Sequence, residues 1–589
     1  RVALQKEAPE NPGFNVDLGA VWIALGQVCW KSERFTDAVQ HWKTGLKQLE
    51  SARSLDADYP SLRQRVASLE RTVFQRYGEI GMWERAAEYV SRNLLEGAPY
   101  DGGWDSRFAH LLGVLGRWEE HDRACRLLVD RWGRTQTQVT WVAALNPHLT
   151  LDRAELIQLA ENSIRPGKTE LANFWAGTMF YRLGQYERAL ELMQEGCARD
   201  FGAPGYRYWY ALVDHKRGEP AKAAEMFEKA EAAYLDRALK YLHGPAATAV
   251  RDVNNGHWQT LAEDQIMRRQ AWRKIRGQDA PEDPWHHLIL ARGFRLLGEM
   301  EEREAALAAA VAAAPNDPEV WLARIRLRRE AGDPAHVIAV DCAELVAIAG
   351  DDYPLERAIE LAEIHVALKQ WDEAIECYDR IIKLRPENIY DFKIRSQYEF
   401  MSLGLERYRE RCREALERYL TPQANLQHKI QVADMCCMVS DAVDDTKAIV
   451  QLVREIAAAN PPNPGQIERI LAMALLNDGQ FSEALPMLLK IESQANETYR
   501  SVSRFLLAKA HNAIGQPEVA ADWLRKGDAL AFQLLEKGEF DHAHYPRKIR
   551  VAQKEAHDVL GIPLPTTADI TVPETEPTEE QKQQAEVAK

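Results

Sequence analysis

Four arginines stand in two matching pairs, Arg292 with Arg295 and Arg326 with Arg329, each pair three residues apart. That spacing brings both guanidinium groups of a pair onto one face of a helix. Guanidinium forks fit carboxylates and phosphates, so such a strip would recognise an acidic or phosphorylated segment. Intramolecular pairing is the competing use, because Glu319, Glu330, Glu356 and Glu363 are close by in sequence. A second group, Phe174, Tyr181, Tyr208 and Leu212, would seat an apolar anchor or serve as core. Little else is equipped for chemistry. The close histidines, His286-His287 and His542-Ala-His544, lack the cysteine or carboxylate companions of a metal site. Carboxylate pairs such as Glu301-Glu302, Asp351-Asp352 and Asp444-Asp445 fall in turns or on polar helix faces. The chain carries no phosphate loop, no H-E-x-x-H, no G-x-S-x-G and no EF-hand loop. No catalytic residue, cofactor or metal is therefore expected.

Composition narrows the classes further. The chain has 589 residues, beyond one ordinary core, so several domains or a one-dimensional array are expected. Its net charge of −15 argues against wholesale binding to nucleic acid or an anionic membrane surface. No apolar run is long enough to span a bilayer, and Ala305 to Ala314 is too short and too rich in alanine. None of the eight cysteines forms a Cys-x-x-Cys pair, and most sit at apolar helical positions. They read as small buried thiols of a reducing, cytoplasmic compartment. Arg1 is not an initiator methionine, so an internal cut is expected there.

The elements that must position the arginines repeat along the chain. A helix A carries a small residue at its inner contact: Gly26, Gly177, Ala211, Ala291, Ala362, Ala472 or Ala508. A glycine ends it, at 81, 116, 184, 218, 298, 332, 479 and 515. An aromatic residue or proline opens helix B, as Phe35, Trp83, Trp118, Tyr186, Pro220, Pro334, Trp371, Phe481 and Pro517 do. Three residues on stands a small residue (Ala38, Ala86, Ala189, Ala223, Ala374, Ala484, Ala520). Four further on stands a bulky plug (Trp42, Val90, Met193, Phe227, Tyr378, Leu488, Leu524). Spacings of three and four give each helix one apolar stripe facing its neighbour. The tryptophans occupy such packing slots and are not a ligand cage.

This order and spacing resemble the tetratricopeptide repeat, a helix-turn-helix unit of about 34 residues. The resemblance implies an all-α fold, a right-handed α-solenoid whose A helices line the concave side. Leu288, Arg292 and Arg295, and then Leu322, Arg326 and Arg329, fall at groove-facing positions in that frame. Tetratricopeptide domains that capture a chaperone's terminal carboxylate use Lys and Asn there, and this chain departs from that pattern.

A finer resemblance rests on Thr140-Trp-Val-Ala-Ala-Leu-Asn-Pro147, Leu156-x-x-Leu-Ala-Glu-Asn and Phe180-Tyr-Arg-Leu-Gly-Gln-Tyr-Glu-Arg-Ala189. With Asp317–Arg324 and Arg504–His511, these are similar to repeat regions of planctomycete proteins, often downstream of a serine/threonine kinase. No glycine-rich kinase loop, His-Arg-Asp or Asp-Phe-Gly occurs here, so any kinase activity would lie upstream of Arg1.

The expected organisation is N-terminal repeats at 1–133, a linker with irregular helices at 134–169, and a repeat pair at 170–234. An irregular helical connector at 235–283 contains Asn254-Asn255-Gly256. Central repeats at 284–387, degenerate helical repeats at 388–464, repeats with a closing helix at 465–561 and a disordered tail at 562–589 follow. The function expected is a non-catalytic scaffold that binds protein or peptide partners, without nucleic acid. Three alternatives stand open: the recognition region of a larger kinase, a structural part of a large assembly, and an enzyme. The enzyme's site would be assembled from 235–283 or 388–464, and a His, Asp and Arg cluster around a pocket would favour it.

Overall fold

The computed structural model describes residues 11–55, 60–95, 102–132, 137–164, 170–198, 203–243, 258–350, 354–537 and 545–565. Asp351-Asp352, Asn254-Asn255-Gly256, His542-Ala-His544 and residues 566–589 of the expected tail lie outside the described residues. Every regular element among the described residues is helical. The chain divides into two compact units, residues 1–348 and 349–589.

The first unit is a stack of antiparallel A/B helix pairs. These are α1 (Pro12–Lys31) with α2 (Phe35–Leu55), α3 (Pro60–Glu79) with α4 (Trp83–Tyr89), and α5 (Gly102–Val114) with α6 (Trp118–Trp132). Then come α7 (Thr137–Leu145) with α8 (Arg153–Ser163), α9 (Glu170–Arg182) with α10 (Tyr186–Gly196), and α11 (Pro204–Lys216) with α12 (Pro220–His243). A single helix, α13 (Trp258–Ala271), interrupts the series. It resumes with α14 (Pro284–Leu297), α15 (Met300–Ala313), α16 (Pro318–Ala331) and α17 (Ala335–Ala349).

The second unit repeats the plan. Its pairs are α18 (Leu355–Ala367) with α19 (Trp371–Leu384), α20 (Ile389–Leu403) with α21 (Leu405–Tyr419), and α22 (Leu426–Met438) with α23 (Thr446–Ala458). They continue with α24 (Pro464–Asn477) and α25 (Phe481–Gln494), then α26 (Glu497–Ala513) and α27 (Pro517–Lys537). A single α28 (Tyr545–Leu560) closes the unit. Each unit is thus an all-α solenoid of tetratricopeptide-like helix-turn-helix repeats.

Local chemistry sets these boundaries. Asp283 and Asp317 cap α14 and α16 by accepting from the backbone N–H groups of Trp285 and Glu319, with proline in the first turn. All eight turn glycines anticipated from the sequence adopt positive φ, between 72° and 83°. An L-residue there would place its Cβ against the backbone, so glycine is the natural stop. The repeat interiors follow the same logic. Ala38, Ala86, Ala189, Ala223, Ala374, Ala484 and Ala520 are fully buried, as are the plugs Trp42, Val90 and Met193. A Cβ placed on Gly26 would meet the Trp42 ring at 2.3 Å, and one on Gly177 would meet the Ala189 carbonyl oxygen at 2.7 Å. Val21, Leu25 and Val28 are exposed along α1.

Within 134–169 the described residues form the helix pair α7 and α8. Thr140 Oγ1 meets Ser163 Oγ at 2.9 Å, and Arg182 Nε donates to the Ala144 carbonyl at 2.8 Å. Asn146-Pro147 ends α7, and Asp152 with Glu155 forms a capping box that starts α8, so no glycine marked the turn. Residues 388–464, read as degenerate, form two regular pairs whose turns use Gly404 at φ 81° and Asp441 at φ 56°. The eight cysteines are free thiols, six buried and two half-buried.

Two glycine substitutions separate strain from overpacking. Gly184→Ala leaves open space around the new Cβ but forces φ near 78°, and should cost about 1–2 kcal/mol. Gly177→Ala drives a methyl into a helix backbone that cannot move aside, and should cost about 1–3 kcal/mol plus the displacement of Met193. Denaturant unfolding followed by circular dichroism compares them. A G177A midpoint equal to that of the wild type would show that the close helix contact is not tight.

Candidate functional site

The anticipated arginine strip is only partly available. Arg292 is half-buried and its Nη1 donates to the Tyr241 carbonyl at 2.7 Å. Arg295 crosses from α14 to α16, donating to the Glu330 carbonyl at 2.9 Å and to its carboxylate at 3.2 Å. Arg326 is half-buried and engaged within the chain, while Arg329 is exposed. On the other face of α16, Arg328 binds Asp341 at 2.8 Å, Asp333 at 2.9 Å and Glu304 at 2.8 Å, fastening α15, α16 and α17 together. The aromatic patch has become core. Phe174 and Tyr208 are fully buried, with Tyr181 and Leu212 almost so. Phe174 sits edge-on to Tyr206 at 4.5 Å, because the inward stripe of α9 meets that of α11.

No spacing in the sequence signals the helix that packs against the A helices of the first unit. Helix α13 lies across successive A helices and is buried on nearly all sides. Trp258 packs on Gly78 of α3 and on Phe108 of α5, with ring centroids 5.5 Å apart. Gln270 donates to the Leu145 carbonyl of α7 at 2.8 Å and accepts from Arg182 of α9 at 2.5 Å. Asp264 accepts from the Gly205 N–H of α11 at 2.7 Å and from Arg237 of α12 at 2.6 Å. Burial, augmented by the neighbouring Asp264 charge, pushes the Glu263 carboxyl up to about 8. Burial likewise raises Asp264 to about 6 against the pull of Arg237.

Behind α13 opens a polar cavity of about 450 Å³ lined by Gln265, Arg268, Arg269, Arg273, Asp279, Glu282, Asp283, His286 and His287 among others. This is the kind of cluster the enzyme alternative called for. Several of its charged groups are already engaged: Arg268 with Glu231 at 3.1 Å, Arg273 with Asp279, and His287 with Glu282 at 2.8 Å. Burial lowers His286 to about 4, which keeps it neutral at physiological pH. Among the described residues that line the cavity there is no serine, threonine or cysteine.

The second unit has the same device at its end. Helix α28 rests on the A helices α20, α22 and α26 and on the B helix α27. Arg547 Nε donates to Gln397 Oε1 at 2.5 Å, and Lys548 lies 3.4 Å from Asp434. Lys509 Nζ donates to Glu555 Oε1 at 2.5 Å, and the Ser440 N–H donates to the same carboxylate. Asp434 also binds Lys393. Burial alone would raise Asp434, but Lys393 and Lys548 outweigh it and hold the carboxyl well below the usual carboxylate range. A sequence signal did exist: Arg547, Lys548 and Glu555 interrupt the apolar stripe Ile549, Ala552 and Ala556.

Residues 356–388, which take in most of α18 and all of α19, match the tetratricopeptide repeat family. No curated protein sequence matches the chain. Solved structures similar to it include that of yeast Tom70, at 14% identity and a TM-score of 0.23, covering 88% of this chain and 99% of that one. Another is the P58(IPK) TPR domain, at 11% identity and a TM-score of 0.20, covering 78% of this chain and 99% of that one. The fold class rests on the helix pairs and on the matched repeat. A chain of this build is a protein-interaction scaffold in general terms, and among the described residues no helix is long and apolar enough to cross a membrane.

The buried carboxyl of α13 generates a pH dependence. Glu263 keeps its proton in the folded unit up to about pH 8, whereas the unfolded chain releases it near 4.5. Between those values the folded state holds a proton that the unfolded state lacks, so stability falls as pH rises through the window. Glu263→Gln should raise the melting temperature at about pH 8 and flatten its decline from about pH 5. Thermal melts at both pH values check this, and an unchanged slope would place the sensitivity elsewhere.

Proposed function

We propose that the chain is a non-catalytic scaffold whose A-helix faces receive helical or extended segments of partner proteins. The single observation that supports this reading is the seating of α13 and α28. In each unit a helix outside the repeat pairs lies across successive A helices, held by named polar contacts. The faces therefore have the shape and the donors to hold a segment. On the A helices α14 and α16 the arginines face a different ligand class. The exposed Arg329, beside Arg326 and the Glu330-paired Arg295 and with Arg292 anchored behind them, suits an acidic or phosphorylated segment. The free thiols accord with a cytoplasmic setting.

A second reading draws on the similarity of Leu127–Ala232 to repeat regions that follow serine/threonine kinases. In it the same scaffold is the recognition arm of a larger signalling protein.

Charge reversal tests the arginine face. Retention of the wild-type chain on an array of acidic and phosphoserine peptides is compared with that of R326E/R329E. The expected outcome is a loss of about tenfold or more in retention, with helical content unchanged. Equal retention rejects the strip.

A further inference from the structure

We propose that α28 is a built-in stand-in for a partner helix, and that the second unit recognises a helix carrying two cations and, seven or eight residues later, a carboxylate. This rests on the scaffold reading and names the partner class for one of its faces. Three features of the seat carry the inference.

First, the seat places buried polar and charged groups beside an apolar contact in which Ile549, Val551, Ala552 and Ala556 join the core of the unit. Gln397 of α20, Asp434 of α22 and Lys509 of α26 are buried beneath α28 and meet Arg547, Lys548 and Glu555. Buried ion pairs gain little over well-packed apolar residues, but they fix register and orientation strictly. They suit an interface that selects its occupant.

Second, α28 fits the seat imperfectly. Gln397 Nε2 and Glu555 Oε2 are buried and find no hydrogen-bond partner. An unmatched buried donor and acceptor weaken the contact relative to one that satisfies both. A foreign helix with an acceptor opposite Gln397 would bind better than the resident one.

Third, the seated surface has a readable spacing. Arg547 and Lys548 form the cation pair and Glu555 the carboxylate, with the apolar Ile549, Val551 and Ala552 between them and Ala556 just beyond. Isoleucine and two alanines let the helix lie close to the A helices, and the charges at either end set its direction along them. Val559, Ile562 and Leu564 are exposed, while Gln553 and the buried His557 are hydrogen-bonded to Asp528 of α27.

The test uses the full chain and its own helix as probe. A labelled synthetic peptide of residues 545–560 is titrated into the wild-type chain and into R547E/E555K, and hydrogen exchange is followed over 389–537 and 545–560. In the variant the resident helix should exchange rapidly while 389–537 stays protected, and the peptide should bind about tenfold or more tightly than to the wild type. A peptide carrying both reversals should not bind. The proposal is overturned if the variant gains no affinity for the peptide, or if 389–537 loses protection together with 545–560, since α28 would then be integral core. A conservative E555Q chain, which keeps the volume of the side chain, should gain affinity to a smaller degree. Acidic-peptide retention by α14 and α16 reads the general scaffold function separately, so failure of either result does not decide the other.

Discussion

Where the two helices of a pair cross, there is room for a hydrogen atom or a methyl group and for little else. Gly26 against Trp42 and Gly177 against Ala189 and Met193 show how tight that crossing is. The close approach lets a large ring or thioether from helix B fill the angle between successive pairs, and interior packing at that density is what gives the stack its stability. Everything else follows from this contact. The apolar stripes face the neighbouring pair, the polar faces look outward or into the concave side, and the glycine at the turn allows helix B to fold straight back. A larger residue at the crossing would spread the pair and loosen both of its neighbours.

The concave sides obey a second rule. A bare row of A helices presents half-buried polar groups, and these must meet either water or another segment. In this chain two helices outside the repeat pairs supply much of the match. In the first unit α13 brings Asp264 and Gln270 into register with a backbone N–H, two arginines and a carbonyl. In the second, α28 brings two cations and a carboxylate to Gln397, Asp434 and Lys509. The same chemistry that would capture a foreign segment is thus already at work inside the molecule, and Glu263 shows its cost: a carboxyl that is neutral over most of the physiological range.

The packing code was legible in the sequence because it is local. Gly184, Tyr186, Ala189 and Met193 lie within ten residues of one another, and each is dictated by the helix it starts, ends or plugs. The pair α7 and α8 escaped because Asn146-Pro147 and the Asp152 capping box do the work that glycine does elsewhere. The candidate site was far less legible. Two pairs of arginines look alike on a helical wheel, yet Arg295 is spent on Glu330 and Arg292 on a carbonyl 51 residues away, whereas Arg329 stands exposed. The burial of Phe174 and Tyr208 depends on α9 meeting α11, and the seats of α13 and α28 depend on residues from four or more helices. No spacing rule in one stretch of chain encodes such meetings.

One consequence of α13 concerns mechanics. A simple stack of repeats behaves like a coiled spring, in which each turn yields to a pull without disturbing distant ones. Helix α13 works instead as a strut through the hollow, bolted to rungs from Gly78 to Gly205. Tension at either end of the first unit is shared by all of those rungs at once. The unit should therefore resist stretching and then give way in one abrupt step, rather than uncoil a rung at a time.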